Sequence, residues 1–387
     1  MNICIYSANF LPNIGGIEKF TDRLSAQLVN MGHHVTIVTN NVFGLREKET
    51  LASGAEVYRL PCHPLFHGRL PLPKRNNEFR SLIIDLFGKS IDSVIINARF
   101  YPHSLIGVKH AEVKGIKPII IDHGSAYITF GNPAIDVAVK AYEHLITSIL
   151  KRHKADYYGV SEASLQWLRT FHIVGLGEIN NSIDADEYLS AASSRNFAAE
   201  LDLKEGCFLV SFTGRFIPEK GVEELLSAAK ILKSQNIAFL LAGGGPLENK
   251  LATQNPGNIY LLGKLGPEDI AALLKQSDTF CLPTRSEGFS TSLLEAAACN
   301  TAPIITNVGG VPELIPSEEF GTILPSQAPE AIAFSILDLM QNPNKKETQA
   351  KNIGNRVRES FSWEKTAEKV VAACRKANPN SKNKVEQ

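Results

Sequence analysis

The fold is indicated by the segment Phe208-Leu-Val-Ser-Phe212-Thr-Gly-Arg-Phe-Ile-Pro-Glu-Lys220-Gly221, which runs from a short apolar stretch through a turn into an amphipathic segment. Short runs that are apolar at nearly every position are typical of strands buried on both faces, as in parallel sheets. The same alternation recurs along the chain, so we predict an α/β protein built from doubly wound parallel sheets.

The predicted strands fall into two series, separated by a break near residues 180–197. They are Ile3–Tyr6, Val35–Thr39, Val57–Leu60, Val94–Asn97, Ile119–Asp122 and Tyr157–Val160 in the first series, and Phe208–Phe212, Phe239–Ala242, Tyr260–Leu262, Phe280–Leu282, Ile304–Thr306 and Thr322–Leu324 in the second. Two series predict two Rossmann-like domains that face each other. We place them at 1–182 and 183–361, followed by a helix over 362–377 and a polar, disordered tail over 378–387.

Composition limits the function classes. The 387 residues are 44% hydrophobic and 21% charged, and 40 Lys and Arg balance 40 Asp and Glu, which argues against a nucleic-acid partner. The six cysteines are scattered, with no C-x-x-C pair, as expected for buried thiols in a reducing compartment. We find no signal peptide and no long apolar run, so we expect a cytoplasmic protein, with attachment to the inner face of a membrane left open.

A motif with two carboxylates is the strongest functional feature. Arg285-Ser-Glu287-Gly288-Phe289-Ser290-Thr291-Ser-Leu-Leu-Glu295 follows a predicted strand and opens a helix at about Thr291. Free amides at a helix start suit a phosphate or a hydroxyl, and carboxylates accept strong hydrogen bonds from hydroxyl groups. The alternative is a capping box, Ser292-Leu-Leu-Glu295, in which the glutamate serves only the helix.

The turn after Phe212 carries a second candidate site. It places the Arg215 guanidinium and the Lys220 ammonium on one strand-to-helix loop, where they could neutralise a departing diphosphate without a metal. In the alternative interpretation, Lys220 merely pairs with Glu223 or Glu224 on the following helix.

Glycine and histidine positions give weaker signals at other strand ends. Gly15 and Gly16 follow the first strand and allow close approach of a phosphate or sugar, although a simple tight turn fits equally well. His123, at the end of the strand Ile119–Asp122, could contact a sugar, or it could be purely structural. The chain has no P-loop, H-E-x-x-H or Ser-His-Asp pattern, so kinase, zinc-protease and serine-hydrolase functions lack support.

Taken in order, these motifs resemble the retaining glycosyltransferases of family 4, which have the GT-B fold. The resemblance runs from the Gly15-Gly16 loop to Trp363, and its most specific parts are Gly214-Arg215 with Lys220, the Glu287–Glu295 motif and 308–313. It implies metal-independent transfer of a hexose-type sugar from a UDP-sugar or GDP-sugar, with no cofactor. It also implies that the last helix crosses back to complete the first, acceptor-side domain, while the second domain binds the donor nucleotide.

The resemblance also implies residue roles. Arg215 and Lys220 would bind the diphosphate, Glu295 the ribose, and Glu287 with the backbone of Gly288-Phe289-Ser290 the transferred sugar. His123 would lie near that sugar and the Gly16 amide beside the phosphates. Ser290 stands where the family often has glycine. Acceptor glycans or lipid-linked sugars of bacterial surface polysaccharide, lipopolysaccharide or glycolipid synthesis would be the partners.

Three alternatives remain open from the sequence. A GT-B phosphorylase would depend on inorganic phosphate, a nucleotide-sugar epimerase would need no acceptor, and a non-catalytic protein would bind nucleotide sugars without releasing nucleotide. The segment 74–89 mixes basic and apolar residues, which fits either peripheral membrane contact or a core helix.

Overall fold

The computed structural model describes residues 1–13, 15–66, 68–127 and 132–379. The chain forms two compact units. Unit 1 contains Met1–Asn180 and the C-terminal segment from Trp363, and unit 2 contains Asn181–Ser362.

Unit 1 is built on a sheet that has seven strands in the described residues, in the order β3-β4-β2-β1-β7-β8-β9. The strands of this unit are β1 (Asn2–Ser7), β2 (His34–Asn40), β3 (Lys48–Thr50), β4 (Glu56–Leu60), β5 (Cys62–Leu65), β6 (Leu70–Pro73), β7 (Ser93–Asn97), β8 (Ile119–Asp122) and β9 (Asp156–Gly159). Its helices are α1 (Gly16–Asn30), α2 (Asn77–Gly88), α3 (Pro102–Lys114), α4 (Pro133–Leu150) and α5 (Glu162–Arg169). The central strands pair in parallel, with Ile5 opposite Ile37 on one side and Ile95 on the other.

Unit 2 repeats the scheme with a sheet of order β12-β11-β10-β13-β14-β15. Its strands are β10 (Phe208–Arg215), β11 (Ile237–Gly244), β12 (Ile259–Gly263), β13 (Thr279–Leu282), β14 (Ala302–Thr306) and β15 (Thr322–Leu324). Its helices are α6 (Ala185–Ser190), α7 (Phe197–Glu200), α8 (Val222–Ile231), α9 (Glu248–Thr253), α10 (Pro267–Gln276), α11 (Thr291–Ala298), α12 (Val311–Leu314), α13 (Pro329–Gln341) and α14 (Pro343–Ser360). Every strand pair within this sheet is parallel.

The prediction of two doubly wound α/β sheets is confirmed. Each predicted apolar run coincides with a strand, and central-strand residues such as Ile5, Ile95, Val210 and Phe280 are fully buried. A parallel strand covered by helices on both faces excludes water from all its side chains, which is why the runs are apolar throughout.

Three short strands are absent from the sequence prediction. β3 runs antiparallel to β4, and β5 and β6 form a separate two-stranded sheet. Cys62–Leu65 is mostly exposed, and both strands of this hairpin contain proline, which lacks the N–H of a ladder hydrogen bond and therefore argues against a strand.

The last helix, α15 (Trp363–Ala377), belongs to unit 1, as predicted for a helix that crosses back. Trp363 packs edge-on against Phe20 of α1 with 5.6 Å between ring centroids. Of the predicted tail, Asn378 exchanges hydrogen bonds of 2.7 and 3.0 Å with the backbone of Lys117, and residues 380–387 lie outside the described residues.

The segment 74–89 contains helix α2, which packs into the core through Leu82 and Leu86 and leaves Ile84 74% exposed. Within the described part of the chain, no helix has the length and apolarity needed to cross a membrane. All six cysteines are free thiols, and four of them are buried.

Candidate active site

The start of α11 lies at the carboxyl edge of the unit 2 sheet. The helix begins at Thr291, as predicted, and Ser290 is its N-cap, with Oγ accepting a 3.2 Å hydrogen bond from the Leu293 amide. The capping-box interpretation is therefore wrong, because Ser292 lies inside the helix and donates its hydroxyl to the Thr213 carbonyl at 3.1 Å. The Ser290 hydroxyl serves the helix, and Glu295 lies half-buried in the second turn.

Lys220 joins the two candidate motifs of unit 2. It ends a short 3-10 helix, Pro218–Lys220, and its Nζ atom pairs with Oε1 of Glu287. The alternative pairing on the following helix is wrong, because Glu223 pairs with Lys250 and Glu224 with Arg285. The Lys220 and Glu287 side chains are only 20% and 13% exposed, so this ion pair is partly shielded from water.

The loop from Pro283 to Ser286 is anchored to the same 3-10 helix. The Arg285 amide donates to the Glu219 carbonyl at 2.8 Å, and the Thr284 hydroxyl donates to the same carbonyl at 3.0 Å. Gln327 supports the loop from the other side, since its Nε2 donates to the Pro283 carbonyl at 2.6 Å and its Oε1 accepts from Arg285 Nε at 3.1 Å. The loop that presents Glu287 is thus held by backbone and side-chain hydrogen bonds.

Two glycines that follow β14 pack directly under this loop. Gly309 has φ +54°, and a Cβ there would lie 2.3 Å from the Glu287 carbonyl oxygen. At Gly310 a Cβ would lie 2.1 Å from the Phe289 ring. Both positions therefore need glycine for the backbone of the Glu287–Phe289 segment to approach so closely.

Phe289 is buried and fixes the end of the loop. Its ring lies 5.6 Å from the Phe361 ring, and its carbonyl accepts a 3.1 Å hydrogen bond from Nδ2 of the buried Asn181. The described residues offer no hydrogen-bond partner to the buried Oδ1 of Asn181.

Arg215 and Gly214 end the central strand β10, so both lie at the edge where β13 also ends. The Arg215 side chain is exposed, whereas the adjoining Phe216 is fully buried. Tyr188 of α6 is close enough to Glu295 to be affected by its charge. Burial and that charge raise the pKa of Tyr188 well above its usual range, so its hydroxyl stays protonated.

In unit 1, the Gly15-Gly16 turn follows β1 and opens α1. A Cβ on Gly15 would lie 2.3 Å from a carboxylate oxygen of Glu18, whereas a Cβ on Gly16 would meet none of the described residues outside its own helix and chain neighbours within 4 Å. Glu18 is buried, its Oε1 accepts a 2.7 Å hydrogen bond from Asn13, and burial raises the pKa of its carboxyl. The Gly16 backbone is thus open, and the Gly15 backbone lies against a carboxylate.

His123 follows β8 and contacts a chain of buried polar groups. Its Nε2 lies 3.3 Å from Oδ1 of Asn97, whose Nδ2 donates to the Thr21 hydroxyl at 2.8 Å. The Phe20 ring packs edge-on against the imidazole, with 4.8 Å between centroids. Burial lowers the pKa of His123 to about 3, so the ring is neutral at physiological pH and, because the Asn97 oxygen only accepts, the geometry favours a proton on Nε2.

The residue before His123 belongs to a buried ionic cluster. Nε of Arg99 lies 2.8 Å from Asp122, and its Nη2 donates to Glu143 at 2.7 Å, with all three side chains almost completely buried. The guanidinium also lies 3.7 Å from the centroid of the Phe171 ring. Arg99 therefore fixes the strand end that carries His123.

The structure thus gathers most predicted site residues at the carboxyl edge of the unit 2 sheet. They are Gly214, Arg215, Lys220, Glu287, Gly288, Phe289, Ser290, Thr291 and Glu295. Gly15, Gly16 and His123 lie at the carboxyl ends of β1 and β8 in unit 1. The sequence analysis missed the supporting roles of Asn97 and Gln327. Asn97 could have been found, because it is a polar residue at the end of the otherwise apolar strand β7.

Two family models match consecutive parts of this chain. The model "Glycosyltransferase Family 4" matches residues 14–187, and "Glycosyl transferases group 1" matches 193–357. An uncharacterized glycosyltransferase of Methanocaldococcus jannaschii is 26% identical over 95% of this chain and 96% of its own length. A human protein, one component of phosphatidylinositol N-acetylglucosaminyltransferase, is 25% identical over 95% of this chain and 75% of its own.

Solved structures share the fold over nearly the whole chain. Sucrose-phosphate synthase from Thermosynechococcus elongatus has a TM-score of 0.79 at 20% identity, covering 97% of this chain and 98% of that one. HepE of Anabaena, solved in complex with UDP, has a TM-score of 0.73 at 15% identity, covering 96% of this chain and 99% of that one. The fold implied by the sequence motifs, GT-B, is confirmed.

Proposed function

Because this chain belongs to the family 4 glycosyltransferases, we propose that it moves a hexose-type sugar from a nucleotide diphosphate to an acceptor hydroxyl with retained configuration. The observation that carries the proposal is the Lys220–Glu287 pair, which joins a cationic loop and a carboxylate loop at one sheet edge. In open parallel sheets, ligands bind beyond this edge.

A uridine diphosphate sugar is the favoured donor. HepE, which shares this fold, was solved with UDP, and the human relative is named for transfer of N-acetylglucosamine. GDP-sugars are the alternative donors, and a binding screen that compares UDP-sugars with GDP-sugars distinguishes the two. The acceptor is proposed to be a glycan or a lipid-linked sugar.

The diphosphate is proposed to bind at the end of β10 and the turn after it, where Arg215 and Lys220 lie. An ammonium carries three N–H donors, so Lys220 retains donors for phosphate oxygens while it holds Glu287. The exposed Arg215 guanidinium offers a bidentate fork, and the first amides of α11 add positive partial charge. These groups would stabilise charge on the departing phosphate, so we propose that transfer needs no metal and is unchanged by EDTA.

The sugar and ribose are proposed to bind the carboxylates. Glu287 and the amides from Gly288 to Ser290 would hold the transferred sugar, and Glu295 would accept hydrogen bonds from the ribose hydroxyls. The departing phosphate would take the acceptor proton on the face from which it leaves, which retains configuration at the sugar carbon.

Unit 1 is proposed to contribute its open glycine and its neutral histidine. The Gly16 amide would contact phosphate, because a Cβ there would meet no atom within 4 Å among the described residues beyond its own helix backbone and chain neighbours. The neutral His123 ring would act as a hydrogen-bond partner to the sugar rather than as a cation.

The central test combines binding and turnover. We expect one nucleotide sugar out of a panel of UDP-, GDP- and ADP-sugars to raise the unfolding midpoint of the protein, since a ligand that binds the native state stabilises it. Release of the nucleotide diphosphate should then require an acceptor. Stabilisation by none of the panel contradicts the proposal, phosphate-dependent turnover would indicate a phosphorylase, and turnover without acceptor an epimerase. Binding without any nucleotide release would indicate a non-catalytic protein.

We propose that the reaction serves bacterial surface polysaccharide, lipopolysaccharide or glycolipid synthesis at the cytoplasmic face of a membrane. The human relative is named for a lipid, phosphatidylinositol, and α2 exposes Ile84 within a basic segment. Co-sedimentation with anionic vesicles, weakened by Ile84→Glu, is the expected result. If the wild-type protein and Ile84→Glu bind vesicles equally well, α2 is excluded as the membrane contact.

A further inference from the structure

A small cavity lies at the carboxyl edge of the unit 1 sheet, where β1, β2 and β4 end. It is lined by residues that follow β1, by Asn40 and the loop after it, and by Arg59 of β4. Its volume is about 10 Å³, which is at the lower limit of what a cavity needs to hold one water molecule or one hydroxyl group. None of the candidate donor-binding residues lines it.

Arg59 supplies a buried cationic donor to this cavity. The residue is 3% exposed, and its Nη2 contacts Oε1 of Glu49 at 2.7 Å and the Leu11 carbonyl at 3.2 Å. Its Nη1 is buried and, among the described residues, has no hydrogen-bond partner. A buried N–H without a partner is costly, so this atom calls for a ligand oxygen.

Asn40 supplies the complementary acceptor. Its Nδ2 donates to the Ala8 carbonyl at 2.7 Å, which fixes the orientation of the amide. Its Oδ1 is buried, and the described part of the chain provides it with no donor. Two residues that are nine-tenths or more buried, one with an unused donor and one with an unused acceptor, therefore line the same cavity.

This combination selects the chemistry of the ligand. A hydroxyl group donates one hydrogen bond and accepts others, so it satisfies Asn40 Oδ1 and Arg59 Nη1 together. A phosphate or carboxylate would place acceptor oxygens against the Asn40 oxygen, and Glu49 already balances the Arg59 charge. The cavity is bordered by Phe43 and Leu45, which are 54% and 40% exposed, so an apolar part of the ligand can lie beside the hydroxyl.

We propose that this cavity binds a hydroxyl group of the glycosyl acceptor, whose apolar surface lies on Phe43 and Leu45. The proposal rests on the proposed function, because that function requires a hydroxylated acceptor. The loop after β1 connects the cavity at Leu11 to the Gly15-Gly16 turn, so acceptor and donor recognition share one segment of unit 1. Asn40 and Arg59 are then specificity-determining residues for the acceptor.

The test uses n-octyl β-D-glucopyranoside, which joins a hydroxylated ring to an alkyl chain, as a monomeric probe below micelle formation. Saturation-transfer NMR on the full chain measures its dissociation constant. We expect the wild-type protein to bind it, and Asn40→Ala and Arg59→Lys each to weaken binding at least about tenfold, the effect of losing a hydrogen bond to a buried or charged group. Arg59→Lys keeps a cation beside Glu49, so it tests the planar set of guanidinium N–H donors rather than the positive charge.

Asn258→Ala is the matched control. Its Nδ2 also donates to a carbonyl, that of Ala229 at 3.1 Å, and its Oδ1 is also buried without a partner in the described residues, but it does not line this cavity. Wild-type protein that does not bind the probe, variants that bind it as wild type does, or an equal loss in Asn258→Ala each overturn the proposal and leave an ordered water as the occupant. Stabilisation of the same proteins by nucleotide sugars reports separately on the proposed function and should be unchanged.

Discussion

The Nζ atom of Lys220 pairs with Oε1 of Glu287, although 67 residues separate them in the chain. The pair connects the loop after β10 with the loop after β13, two neighbouring strands of one parallel sheet. It converts two separate sequence motifs into one site.

This pair predicts strongly non-additive mutations. Lys220→Ala and Glu287→Ala should each lower nucleotide release by about 10²-fold or more, as for removal of one group that stabilises transition-state charge. The double variant should lose little more than either single one, because each substitution already disrupts the shared site. Steady-state rates of the wild type, the two single variants and the double variant give the coupling free energy between Lys220 and Glu287.

Lys250→Ala is the control for that cycle, since Lys250 pairs with Glu223 on the neighbouring helix in a similar ion pair. Its activity should remain within about twofold of wild type, in line with the small worth of exposed pairs. Fully additive losses in the Lys220 and Glu287 variants would mean that the two residues act independently.

Gly309 should be indispensable to the site for a steric reason. An alanine there keeps a left-handed φ and also brings its Cβ within 2.3 Å of the Glu287 carbonyl, so the Glu287 loop must move. We expect Gly309→Ala to reduce donor binding by at least about tenfold, since small misplacements at a site are expensive. Thermal-shift titration with the donor identified by the screen measures it.

Gly257→Ala separates the steric effect from the backbone effect. Gly257 also has positive φ, +101°, but a Cβ there would meet nothing within 4 Å. This variant should lose stability by about 1 kcal/mol and bind donor normally. Equal donor affinities in the two variants would refute the steric role of Gly309.

His123 should remain neutral in acid. Burial lowers the pKa of its imidazole from 6.5 to about 3, so nitrogen-15 NMR should record no protonation between pH 7 and 4. The unfolded chain takes up a proton near pH 6.5 that the folded chain refuses. The stability due to this group is therefore complete above pH 6.5 and is lost as pH falls toward 3, by at most about 1.4 kcal/mol per pH unit.

The variant His123→Asn should accordingly flatten the loss of stability between pH 6.5 and 3 in urea unfolding experiments. Its activity should fall without a change in the shape of the pH profile from 5.5 to 8, because the group does not titrate there. If the resonance of the His123 imidazole, assigned as the one that is missing from the His123→Asn spectrum, titrates near pH 6.5 in the wild-type protein, this prediction is contradicted.

The buried cluster around Arg99 predicts a large loss of stability. Arg99→Met leaves Asp122 and Glu143 buried without their cation, which should cost about 3–5 kcal/mol in urea unfolding. Arg195→Met is the matched control, because Arg195 also contacts two carboxylates, Glu200 and Asp269, but is 36% exposed. The loss of stability in Arg195→Met should be much smaller than in Arg99→Met, and a similar loss in both variants would exclude burial as the cause.

Packing of the last helix predicts a further difference between two aromatic residues. Trp363 is 6% exposed and contacts Phe20, whose ring also packs against His123, so Trp363→Ala should cost about 3–5 kcal/mol. Phe334→Ala, at a residue 73% exposed on α13, should change the unfolding free energy by less than about 0.5 kcal/mol. A small effect at Trp363 would mean that α15 contributes little to unit 1.

The architecture could be predicted from the order of residue types alone. Strands buried on both faces must be apolar throughout, so β1, β8, β10 and β13 could be located from their composition, and helices had to separate them. Residues at or just beyond the ends of such strands, among them Arg215, Glu287 and His123, were identifiable as candidates because the carboxyl ends of parallel strands share one edge.

Which of these side chains meet depends on the tertiary fold. The partner of Lys220 is Glu287 rather than a neighbour on its own helix, because strand order places β13 beside β10 and the chain between them folds elsewhere. Local spacing likewise left open a capping box that begins at Ser292. In the structure the Ser292 hydroxyl donates to the Thr213 carbonyl, and Ser290 caps the helix. Contacts between residues distant in sequence depend on the order of strands, and a local pattern of residue types contains no information on that order.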